Sequence, residues 1–140
     1  MEHMMTLLGG MNKVAEAVHG NAVEHGWWEE DKALPEIIAL CHSELSEALE
    51  EYRDGKPVIY CTHCIHPDRP FSEHNDRRCT ECLIRRGCID KPEGIGVELA
   101  DCMIRILDYC GRVGINIEDM IRIKHQYNKT RAYRHGGKKA

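Results

Sequence analysis

The sequence predicts an all-α fold: an antiparallel four-helix bundle with a small cysteine-rich insertion between the second and third helices. Three observations predict it. Apolar residues recur at helical spacing in four segments, the chain holds a single Phe and few long β-branched runs, and composition shifts sharply over residues 55–93. The chain has 140 residues and a mass of 16.1 kDa, which fits one domain carrying a small insertion. Residues 1–54 and 94–140 are therefore expected to form the helical domain, and residues 55–93 the insertion.

The first helical segment is expected from Met4 to His19, with Leu7, Leu8, Met11, Val14, Ala15 and Val18 at helical spacing and Gly20-Asn21 as its stop. Residues 21–32 carry the pair Trp27-Trp28 and an acidic cluster, and read as a connection. Pro35 suits the first turn of a second helix that reaches Arg53, is lined by Ile37, Cys41, Leu45, Ala48 and Tyr52, and ends at Gly55. Residues 55–93 hold four of the five prolines and five of the eight cysteines. A third helix is expected from Val97 to Gly111, apolar around most of its circumference. Gly114 then turns the chain, and Asn116 resembles an N-cap, with Glu118 and Asp119 in the first turn of a fourth helix ending near Thr130. The short link between the last two helices suggests antiparallel neighbours.

With 42% hydrophobic and 30% charged residues, the composition is that of a globular chain and excludes a disordered one. No apolar run approaches the roughly 18 residues of a membrane span. The N-terminal MEHMMTLLGGM has no basic flank, so no signal peptide is expected. Eight cysteines without such a signal point to a reducing, cytoplasmic setting, where thiols bind metal more often than they pair. The net charge of −4 is unevenly spread: −9 over residues 1–54, +1 over 55–93, −3 over 94–120 and +7 over 121–140. An acidic body with a basic end fits a metal site beside a phosphate site; the alternative is a solvated tail.

The second helix carries Glu44-Leu45-Ser46-Glu47 and the third Glu98-Leu99-Ala100-Asp101. A spacing of three places both carboxylates of each pair on one helical face. On packed helices the four can converge, and two anions ~5 Å apart repel by about 3 kcal/mol at an effective dielectric of 20. Such a set calls for a hard cation, Mg²⁺ above all, which also binds substrate phosphate. Glu98, Asp101, Arg105, Asp108 and Arg112 follow at spacings of 3, 4, 3 and 4, one polar stripe on an apolar helix. That stripe faces either a cavity or partner, or solvent, with salt bridges such as Asp101 to Arg105.

The segments ALCHSELSEALEEYRDG, GVELADCMIRILDYCGRVGINIEDMI and KHQYNKTRAYRHGGKK resemble the MazG-like, all-α nucleotide pyrophosphohydrolases. That family carries an ExxE on one helix and an ExxD on the next, as in Glu44, Glu47, Glu98 and Asp101, and a KxxxN ending the last helix, as in Lys124 and Asn128. The likeness covers residues 33–54 and 94–138, close to half the chain; the cysteine-rich insertion departs from the family's short link. The resemblance implies the all-α NTP-pyrophosphatase fold and hydrolysis of a nucleoside triphosphate, or a related nucleotide such as phosphoribosyl-ATP, to a monophosphate and pyrophosphate. It implies Mg²⁺ on the four carboxylates, with Glu47 the first candidate to accept the attacking water's proton and Glu44 the second. Lys124, Asn128 and Arg131 would contact phosphate, although cations at a helix C-terminus also complement its dipole without any ligand. Trp27 or Trp28 would stack on the base; core packing is the other reading for each. Homodimers or homotetramers that complete one another's sites are implied as well.

Cys61, Cys64, Cys79 and Cys82 form CxxC-x14-CxxC, close to the spacing of a tetrahedral Cys₄ zinc site. The insertion is too poor in large apolar residues to build much core, and a structural zinc contributes roughly 10–16 kcal/mol to folding such a segment. Cys88, His63, His66 and His74 are substitute ligands; disulfides or free thiols are the alternatives. Four thiolates leave no open position, so this zinc is structural. Cys41, Cys102 and Cys110 read as small core residues. Two other functions fit parts of the pattern. A zinc-stapled nucleic-acid-binding module would use Arg69, Arg77, Arg78, Arg85 and Arg86, but the acidic balance opposes it. A helical interaction module would use the carboxylates only for solubility.

Overall fold

The structure, a computed structural model, describes residues 10–61 and 91–132. Among these residues the chain forms four helices, α1 (Met11–Glu24), α2 (Leu34–Arg53), α3 (Ile95–Val113) and α4 (Ile117–Thr130), and a pair of two-residue strands, β1 (Tyr60–Cys61) and β2 (Pro92–Glu93). The all-α class is thus observed. No helix of the described residues is long and apolar enough to cross a membrane.

Local chemistry sets most of the boundaries. α1 runs through Gly20 and Asn21, where the sequence suggested a stop. A single helical glycine costs only about 1 kcal/mol, and the chain turns instead at Gly26, with φ of +78°. The stretch 4–9 of the expected first helix lies outside the described residues. In α2, Pro35 sits in the first turn and Arg53 in the last, and Gly55 follows at φ +65°. Its buried residues, Ile37, Cys41, Glu44 and Ala48, fall at spacings of four, three and four, so one of its inward positions is a carboxylate.

The strand pair is antiparallel, with Tyr60 opposite Glu93 and Cys61 opposite Pro92. It brings together the two ends of the cysteine-rich segment. Buried Tyr60 donates its hydroxyl hydrogen bond to Glu51 of α2 at 2.9 Å. Gly94, at φ +116°, links β2 to α3, and a Cβ there would lie 2.5 Å from the Val58 carbonyl oxygen and 2.7 Å from that of Pro57. Only glycine fits both the backbone angle and the space.

The described residues group into two compact units, one running from Asp31 to Ile106, the other built from the residues up to Glu30 and from Leu107 onward. In the first, Ile37, Cys41, Ala48, Tyr60 and Cys102 are buried. In the second, Ala15, Trp28, Leu107 and Cys110 are buried, and Gly111 lets α3 approach α1, since a Cβ there would lie 2.9 Å from the Ala15 carbonyl oxygen. Asn116 caps α4, accepting from the Asp119 amide at 3.1 Å. Asn12 of α1 locks onto this cap, donating to the Asn116 side chain at 2.8 Å and accepting from the Ile117 amide at 3.1 Å.

Candidate metal centre

Glu44 and Glu47 lie on α2, and Glu98 and Asp101 in the first two turns of α3. Glu44 belongs to the buried face of α2 and is only 7% exposed, too enclosed for a carboxylate that serves solubility. Glu47 is exposed; Glu98 and Asp101 are half-buried. Ligand oxygens from Glu44, Glu47 and Glu98 all lie within 4.8 Å of one another, so three carboxylates from two helices meet in one small volume.

The electrostatic cost is visible in the proton affinities. Burial, followed by the charges of Glu47, Asp101 and Glu44, pushes the Glu98 carboxyl up to about 7. A hydrogen bond with Glu47 adds to this. Asp101 is also raised, first by burial and then by Glu44, while Arg105 and Lys91 act in the opposite direction. Arg105 Nε donates to Glu44 Oε1 at 2.5 Å, reaching from α3 to α2. The sequence suggested an Asp101–Arg105 bridge within one helix; the contact seen for Arg105 is with Glu44 on α2, and its charge also acts on Asp101.

The polar stripe of α3 does not form the helix's solvent side. Asp108 is 5% exposed, while Leu99, Met103, Ile104 and Ile106 of the same helix are exposed. In the unit containing α1, Asp108 accepts from Trp28 Nε1 at 2.9 and 3.1 Å and lies 2.7 Å from His19 Nδ1. Arg112 covers the Trp28 ring at 5.0 Å, and the His19 ring meets it edge-on at 5.8 Å. Trp28 is buried in this network; Trp27 is exposed. Lys124, Asn128 and Arg131 lie at the exposed C-terminal end of α4, with Lys124 Nζ 4.9 Å from the Tyr127 ring centre.

Cys61 ends β1, whereas Cys64, Cys79 and Cys82 lie outside the described residues, as do the substitute ligands Cys88, His63, His66 and His74. Cys41, Cys102 and Cys110 are free and buried, and burial raises the thiols of Cys41 and Cys110. Sequence reasoning missed the roles of Arg105, His19 and Asp108. The signal for two of them was present in the 3-4-3-4 stripe, but its partners on α1 and α2 were not.

The donor set suits a hard divalent cation: carboxylate oxygens only, drawn from two helices, with the Glu98 carboxyl driven toward protonation first by burial and then by its neighbouring carboxylates. Comparison of the chain with protein-family models, curated proteins and solved structures finds no match.

Proposed function

We propose that this protein is a Mg²⁺-dependent nucleotide pyrophosphohydrolase that cleaves a nucleoside triphosphate, or a related nucleotide, to the monophosphate and pyrophosphate. The observation that carries this reading is the meeting of Glu44, Glu47 and Glu98 within 4.8 Å, with Asp101 one turn beyond Glu98. The motif resemblance supplies the reaction class. Glu44, Glu47, Glu98 and Asp101 would hold the ion; when bound, Mg²⁺ neutralises phosphate charge and orients the attacking water.

Among the chain's own groups, Glu47 is the best placed to take the water's proton. It is exposed, whereas Glu44 is buried and has one oxygen engaged by Arg105. Glu98, with its raised proton affinity, shares a hydrogen bond with Glu47 and so steers the Glu47 carboxylate. Lys124, Asn128 and Arg131 would grip phosphate oxygens, and Trp27, exposed where Trp28 is packed against Asp108 and Arg112, would contact the base. In the same proposal the helices form an antiparallel bundle, Cys61, Cys64, Cys79 and Cys82 hold a structural zinc, and the protein acts in the cytoplasm as a homodimer or homotetramer. The apolar exposed face of α3 supports self-association.

The test is pyrophosphate release from a panel of nucleotides with Mg²⁺. The wild type should be active, and Glu47→Gln and Asp101→Asn should each lose at least about 100-fold. Full activity in either variant, or no pyrophosphate from any nucleotide, would overturn the reading. The nucleic-acid and interaction-module alternatives both require that second result.

A further inference from the structure

Cys41 and Cys102 are both free and buried, each 7% exposed, and they come from different helices, α2 and α3. Cys41 shares a side-chain hydrogen bond with Cys102, so the two thiols meet across the helix pair. Cys41 precedes Glu44 by three residues on the buried face of α2, and Cys102 follows Asp101 directly on α3. The pair therefore bridges the two helices that carry the carboxylates, and the chemistry proposed above uses neither thiol.

A single cysteine in a core acts as a small apolar residue, whereas two that touch from separate elements form a dithiol. In a reducing setting, dithiols that oxidise do so transiently and serve redox sensing. We propose that Cys41 and Cys102 are a reversible modification site, oxidised by small-molecule disulfides to a disulfide that staples α2 to α3. One thiol gives up its proton and its sulfur attacks the small disulfide, which forms a mixed disulfide and releases one small thiol. The second sulfur loses its proton, attacks the protein sulfur of that bond, and the other small thiol leaves. Two protein thiols and one small disulfide become one protein disulfide and two small thiols. Enclosure of the pair makes the first step slow. The second is fast, because the neighbouring sulfur is already in position. The link closes a loop of about 60 residues, so it restricts the unfolded chain and stabilises the folded one. It requires the two helices alone, and neither the metal ion nor the nucleotide.

The experiment holds the folded full chain with excess oxidised glutathione, blocks the remaining thiols and maps disulfide-linked peptides by mass spectrometry. A Cys41–Cys102 link should form, exceed any link from either residue to Cys110, and disappear with dithiothreitol. Cys110 is the internal control, free and buried on the same helix as Cys102. The urea midpoint of the oxidised wild type should lie above that of the reduced protein, and this rise should be lost in Cys41→Ala and in Cys102→Ala, which keep every other cysteine. A wild type in which the two residues are not linked, or are linked to Cys110 as readily, would overturn the inference. An undiminished rise in either variant would do the same. The wild-type map depends on no variant, and a negative map leaves the carboxylate centre and its proposed reaction untouched.

Discussion

Folding lifts the Glu98 carboxyl from its ordinary 4.5 to about 7 because burial and neighbouring carboxylates penalise its charge. A group whose proton is bound more tightly in the folded state stabilises the fold fully below the unfolded value, and that stabilisation is lost as pH rises through the folded one. In Mg²⁺-free buffer, the stability of the wild type relative to Glu98→Gln should therefore fall between about pH 4.5 and 7 and level off on either side. Urea denaturation of both proteins across that range reads the difference; a wild type that holds or gains stability relative to Glu98→Gln as pH rises would contradict the assignment. Millimolar Mg²⁺ above pH 7 should raise the wild-type midpoint and leave that of Glu98→Gln nearly unchanged, because the cation replaces the proton. Asp108 is a second buried carboxylate, held by two contacts from the Trp28 indole and one with His19. Trp28→Phe keeps most of the apolar volume and removes the indole donor. The expected loss is about 1–3 kcal/mol of unfolding free energy, the cost of leaving a buried polar group short of a partner.

At the level of elements, the start of α4 shows what a sequence makes legible. Asn116 followed by Glu118 and Asp119 is a local signal, and the structure places the Asn116 side chain on the Asp119 amide at 3.1 Å. Asn12, 104 residues away, joins the same cap, and no local pattern announces that. Asn116→Ala should therefore cost more than an isolated cap, about 2 kcal/mol at the upper end of the usual range, whereas Asn116→Asp, which keeps the acceptor, should cost little. Thermal melts of the two variants make the comparison. The same division between local and tertiary information explains the other differences. Gly20 was a poor stop signal because a glycine inside a helix is weakly unfavourable, while Gly26 ends the helix by a positive φ that sequence alone does not display. The two acidic pairs were legible because three-residue spacing fixes their faces. Arg105's partner was not, since Asp101 one turn away and Glu44 on another helix compete for it, and only packing decides. The composition shift over residues 55–93 was legible too, and its ends lie close to the strand pair that draws Tyr60–Cys61 against Pro92–Glu93.

For the molecule as a whole, the apolar surface of the described residues bears on the self-association proposed above. The polar stripe of α3 carries Glu98, Asp101, Arg105 and the buried Asp108, so the helix turns Leu99, Met103 and Ile106, at spacings of four and three, to the outside. On α2, Ile38, Leu45 and Leu49 are each more than two-fifths exposed, and α4 buries no residue while exposing Met120, Ile121, Ile123 and Tyr127. Scattered apolar side chains are ordinary on a protein surface, but rows at helical spacing on three helices are what helix-to-helix association buries. Burying such rows contributes about 25 cal/mol per Å² of apolar area, enough to overcome the ordering cost of association when the faces are extensive. The wild type should accordingly sediment at a multiple of its 16.1 kDa chain mass. Met103→Glu with Ile106→Glu places two charges in the row on α3 and leaves Glu98, Asp101 and Arg105 unaltered. That double variant should shift toward the single-chain mass while keeping its helical circular dichroism. If neighbouring chains complete the site, pyrophosphate release should fall with the assembled fraction, and raising the protein concentration should restore it. A wild type that stays at the single-chain mass at all concentrations would refute the assembly without touching the carboxylate centre, because Glu44, Glu47 and Glu98 meet within one chain.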